Sequence, residues 1–168
     1  MQSLTQRLSQ EFKAIAGGID GDRLRVPELS QPIALRVCEQ RGLLMCTAVM
    51  QFEYAFANTP AGECEVHLTH TGVITRTGVQ ARARRGNAAV VNAFLRDAVV
   101  RERLTTLDFI EFVLIQDSTG WRARTTQMGA AWVYMAFPRT SRYVPMGHGQ
   151  VRALIDVFKR LDELFAGG

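Results

Sequence analysis

The stretch Leu43–Phe56 constrains the fold more than any other part of the chain. Its side chains alternate at a period of two, which belongs to an extended strand. One face carries Leu44, Cys46, Ala48, Met50, Phe52, Tyr54 and Phe56. The other carries Leu43, Met45, Thr47, Val49, Gln51 and Glu53, so the first half is apolar on both faces. A strand of that kind lies mid-sheet or beneath a partner. Two amphipathic segments bracket the chain at the other period. Leu4, Leu8, Phe12 and Ile15 recur at helical spacing near the start, with Ser3 and Gln6 as a capping box and Gly17-Gly18 as a stop. Val151, Leu154, Ile155, Phe158, Leu161 and Phe165 form the clearest apolar stripe, over Gln150–Phe165.

Between these landmarks the periods switch repeatedly. Strands are expected at Pro32–Val37, at Leu43–Phe56, at Glu63–His70 and from Val73 to about Arg82, with turns at Arg41-Gly42 and Thr71-Gly72. Ile19–Ser30 reads as a connection. Asn87 is a helix N-cap before a second helix over Ala88–Leu104. Phe109–Gln116 and Trp121–Phe137 are two further strands, the last interrupted by a bulge near Gln127-Met128-Gly129. Pro138–Gly149 reads as an irregular loop. The expected fold is therefore α+β, an antiparallel sheet of about six strands covered by three helices in the order α-β-β-β-β-α-β-β-α. One domain over residues 1–168 accommodates it.

Composition excludes several classes. The 168 residues are 47% hydrophobic and 21% charged, ordinary values for a folded domain. No apolar run reaches the roughly 18–20 residues of a membrane span, and the N-terminus has no apolar leader core, so a cytoplasmic protein without membrane contact is expected. Cys38, Cys46 and Cys64 are an odd number and read as free core residues. The net charge is +4, but the basic residues are nearly all arginine, and Arg76, Arg82, Arg84 and Arg85 lack interleaved aromatics; nucleic acid is not the expected partner. Those arginines read as a solvated edge that discourages strand-to-strand aggregation.

The segment from Leu107 to Phe158, notably Trp121 and Arg142-Tyr143, resembles the C-terminal half of a proteobacterial family catalogued only as a domain of unknown function. That resemblance brings no functional residues with it. The element order is similar to that of the type III secretion chaperones, small dimeric proteins that hold an unfolded effector segment.

No catalytic motif stands out, neither a G-x-S-x-G nor a P-loop. On a strand, His67 faces away from Cys64 and His70, so the three make no metal site, and no cofactor is expected. Glu53, Glu63, Glu65 and Glu111 read as polar outward faces. The sequence does not determine the function. The leading expectation is a non-enzymatic binding or interaction domain, with a homodimer proposed from Leu43, Met45 and Val49. One alternative is a small-molecule or lipid pocket between the sheet and the last helix, lined by Phe52, Tyr54, Phe56, Trp132 and Tyr134. Another is an enzyme whose site is assembled from scattered residues. A separate expectation concerns the last helix. Gly147, His148 and Gly149 sit at its N-terminus, where free N–H groups attract anions, and Arg139, Arg142 and Tyr143 arrive on the same loop.

Overall fold

A computed structural model describes residues 4–12, 18–57, 62–72, 77–87 and 89–165. Ser3, Ile15, Gly17, Val73 and Arg76 lie outside these residues. The described elements are helix α1 (Leu4–Phe12), strands β1 (Gly18–Asp20), β2 (Arg23–Arg25), β3 (Ile33–Arg41), β4 (Met45–Ala57), β5 (Cys64–Thr71) and β6 (Gly78–Arg85), helices α2 (Ala89–Phe94) and α3 (Ala98–Thr106), strands β7 (Phe109–Asp117), β8 (Gly120–Met135) and β9 (Thr140–Val144), and helix α4 (His148–Phe165). The strands form one sheet in the order β1-β2-β3-β4-β8-β7-β5-β6, with β9 beside β8. Every pairing is antiparallel.

The fold class matches the expectation, but about six strands was an undercount. The Asp20-Gly21-Asp22 turn closes a hairpin of its own, with Asp20 opposite Arg23. Each arm is only three residues long, too short to show a period. The segment read as an irregular loop contains β9, in which Tyr143 pairs with Trp132 and Arg142 with Val133. The Thr71-Gly72 turn is wider than a two-residue hairpin, since Thr71 pairs with Gly78. Helices occupy the three expected places, the second broken into α2 and α3. The break comes at Asp97, whose carboxylate accepts from the N–H groups of Val99 and Val100 and so starts a new helix. Asn87 accepts from the Ala89 N–H, as its N-cap reading required.

The even-numbered face of β4 builds the core. Phe52 and Tyr54 have no exposed surface, and Phe56 is buried. Phe52 meets Phe12 of α1 at 6.1 Å, Tyr54 stacks on Phe158 of α4 at 4.9 Å, and Phe56 packs edge-on to Phe165 at 5.0 Å. Burying each such ring contributes about 1.5–3 kcal/mol. At the base of α4 the Tyr54 hydroxyl donates to Asp162 at 2.5 Å, while Ser30 donates to the same carboxylate through its hydroxyl (2.9 Å) and its N–H (3.1 Å). Ion pairs Asp97–Arg160 (2.7 Å) and Arg103–Asp156 (3.0 Å) fasten α3 to α4.

The opposite face is open and curls over itself. The expected bulge interrupts β8, where the pairing with β4 jumps from Gln51–Thr126 to Val49–Ala131. Ala130, inside it, has φ 53°, a left-handed conformation that costs a non-glycine residue about 1–2 kcal/mol. Gly129 there presses on the chain before α4; a Cβ would stand 2.5 Å from Met146 Cα. No described helix covers Val49 or Val113, yet both are buried, which follows when the sheet bends toward that face. Val49 therefore needs no partner subunit, contrary to the reasoning that placed it with Leu43 and Met45.

Candidate functional sites

The residues expected to bind an anion before α4 are placed as follows. Arg139 lies exposed in the turn between β8 and β9. Arg142 is exposed on β9, and Tyr143, its neighbour, points to the other face and is half-buried against Trp132, with ring centroids 5.9 Å apart. Alternation along the strand thus separates Arg142 from Tyr143. Gly147, His148 and Gly149 are exposed at the helix start. A carboxylate is already present there. Glu11 of α1 accepts from the Met146 N–H at 3.0 Å. The Tyr143 hydroxyl lies near that carboxylate, and burial first, then the Glu11 charge, hold its pKa well above the usual phenol value.

The aromatic residues expected to line an apolar pocket do not share one. Phe52 and Tyr54 touch no space large enough for water, because their exposure is nil. They and Phe56 are packed core rather than pocket wall. Trp132 and Tyr134 sit on the same face, 6.2 Å apart and half-buried.

Two other surfaces carry concentrated chemistry. The first is an apolar end. The β3–β4 turn and the β8–β9 turn lie side by side, linked by Met45 opposite Met135 and by the Ala136 N–H donating to the Leu44 carbonyl at 2.9 Å. Leu43 is 98% exposed, Phe137 83%, Leu44 62%, Met45 51% and Met135 43%. A depression of about 460 Å³ runs between the turns, lined by Leu43, Leu44, Met45, Tyr134 and Met135. Glu39 and Arg41 edge it and pair with each other at 2.9 Å.

The second is a polar cleft of about 440 Å³ on the open face, lined by Gln40, His67, Thr69, Arg84, Ile110, Glu111 and Thr126. Gln40 is on β3 and Arg84 on β6, five strand spacings apart, or about 24 Å in a flat sheet. Both line one cleft because the sheet is strongly curved. The His67 ring donates at 2.7 Å to Glu65 through Nε2. That hydrogen bond, opposed by burial and helped by the charges of His67, Arg84 and Arg124, holds the Glu65 carboxyl below its usual range. His67 points away from Cys64 and His70, as strand alternation required: Cys64 is buried on the core face, and His70 stacks on Phe109 at 4.0 Å. Among the described residues no group of His, Cys, Asp and Glu is arranged to hold a metal ion.

In the sequence Glu65 and Glu111 read as polar outward faces, Arg84 as part of a solvated edge, and His67 as a residue facing away from Cys64 and His70. Their convergence depends on the curl, which alternation does not encode.

The antiparallel sheet with helices packed against it defines an α+β fold. The chain belongs to the family described as protein of unknown function DUF3156, whose profile matches residues 10–165. No curated protein and no solved structure matches it.

Proposed function

We propose that this chain is a non-enzymatic interaction domain that self-associates through the apolar end of its sheet. The observation that carries this reading is the exposure of Leu43, Leu44, Met45, Met135 and Phe137 on two adjacent turns. At about 180 Å² per large side chain, their exposed surface comes to roughly 600 Å², at the upper end for the largest apolar patch on a monomer. A standard interface buries about 800 Å² per partner around an apolar centre. The patch is thus the right size for the centre of one interface.

The occupant that fits is a second copy. A two-fold contact sets the same patch on both sides. The charges at the edge of the depression, Glu39 and Arg41, already neutralise each other, so two copies meet there without strong repulsion. No described helix is long and apolar enough to cross a membrane. The three free cysteines support a reducing, cytoplasm-type compartment.

Sedimentation velocity tests the proposal. The parent chain should sediment as a dimer at micromolar concentration, and the double variant Leu43→Asp, Phe137→Asp as a monomer with an unchanged circular dichroism spectrum. A monomeric parent at high micromolar concentration overturns self-association. So does a monomer that instead pellets with anionic lipid vesicles through these residues, because the patch would then be a membrane contact.

A further inference from the structure

We infer that the cleft on the concave face binds a small zwitterion, a molecule with a carboxylate and an ammonium group a few bonds apart. Its walls carry opposite charges, Arg84 on β6 and Glu111 on β7. Among the described residues neither forms an ion pair. Strand β5 lies between them, so they stand two strand spacings apart, about 10 Å across the sheet. They are also about 12 Å apart along it, since Arg84 lies beside Glu65 and Val66 and Glu111 adjoins the Phe112–Leu68 pair; the two long side chains reach toward each other over that span. The cleft therefore presents one cationic and one anionic group that form no ion pair with each other, and the Arg84 charge is met only by that of Glu65, without an ion pair.

A ligand with the complementary pair satisfies both. Its carboxylate meets the planar fork of Arg84, and its ammonium group donates to the Glu111 carboxylate. His67 and Thr69 of β5 form the floor between the two charges. Glu65 holds His67 at Nε2, which fixes the ring and leaves Nδ1 for the ligand. Thr126 and Gln40 add a hydroxyl and an amide. Ile110, half exposed at the rim, gives the carbon part of the ligand an apolar contact. The volume of about 440 Å³ falls within the range of small-molecule sites. A simple anion would leave Glu111 facing it, and a simple amine would leave Arg84 unsatisfied. Only a molecule carrying both charges uses both walls.

Three matched probes separate these cases in a thermal-shift titration of the intact chain, in a buffer free of amines and carboxylates. Valine carries both groups, isovalerate lacks the ammonium group, and isobutylamine lacks the carboxylate. Valine should raise the melting temperature and the other two should do so far less. Arg84→Gln and Glu111→Gln should each weaken the valine response about tenfold or more, with the ligand-free melting temperature unchanged. The inference is overturned if isovalerate matches valine, if neither valine nor a pool of the other common amino acids raises the midpoint, or if both variants respond like the parent.

Discussion

Replacing Tyr54 with phenylalanine should remove the hydroxyl's hydrogen bonds, to Asp162 first and also to Ser30, and leave the core otherwise intact. The ring has no exposed surface and stacks on Phe158 at 4.9 Å, and phenylalanine keeps that contact. What goes is the hydroxyl that donates to Asp162 at 2.5 Å. A hydrogen bond to a charged group contributes about 1.5–3 kcal/mol, so Tyr54→Phe should cost about 2 kcal/mol in urea unfolding at neutral pH. Asp162 keeps the two donors of Ser30, which limits the loss. A second signature lies at alkaline pH. Burial, and then the Asp162 carboxylate, push the Tyr54 hydroxyl from an ordinary value of 10.0 up to about 12. A raised pKa stabilises the fold fully below the unfolded value and loses that stabilisation as pH climbs through the folded one. Two pKa steps are worth about 3 kcal/mol, lost between about pH 10 and pH 12. The variant should lack this segment of the pH profile, while Tyr143, also held up, titrates in both proteins. A cost below about 0.5 kcal/mol, or identical alkaline profiles, refutes the assigned hydrogen bond.

Asp97→Ala should lower stability by about 1–2 kcal/mol, because it removes the cap of α3 as well as the partner of Arg160. The Arg160 hydrogen bond first, then the capped N–H groups, hold the Asp97 carboxyl below its usual value; its stabilisation is therefore present above about pH 4 and is lost as pH falls through the lowered value. An alanine variant with the parent's acid unfolding profile contradicts this. Gly129→Ala should destabilise by about 1–3 kcal/mol, since the added methyl meets backbone on the chain before α4; an unchanged denaturation midpoint would mean the bulge is not held against that segment.

The strand β4 was legible because its alternation is regular and its core face carries three aromatic rings. The β8 bulge was legible because Gly129 falls inside a strand-like run too long to continue unbroken, Trp121–Phe137. The missed elements have physical reasons. Strands of three residues, like β1 and β2, are shorter than the period that would reveal them. Strand β9 lies between Pro138 and Pro145, which mask it as a loop. The α2–α3 break was signalled by Asp97 ahead of Ala98-Val99-Val100, but the apolar stripe ran through it. Phe52 and Tyr54 were rightly placed on one apolar face, yet alternation does not distinguish a pocket wall from a packed core; the helix that fills the space decides it. Arg84 and Glu111 meet in one cleft only through the order β7-β5-β6 and the bend of the sheet, both long-range properties.

Hydroxyl-radical footprinting at two concentrations tests self-association and its location together. Met45, Met135 and Phe137 are reactive and exposed on the apolar end, whereas Met128, 55% exposed, lies outside the proposed interface and serves as the internal control. Between submicromolar and high micromolar protein, oxidation of Met45, Met135 and Phe137 should fall severalfold while that of Met128 stays constant. Equal oxidation of all four at both concentrations would contradict the account, because the apolar end would then meet no second copy.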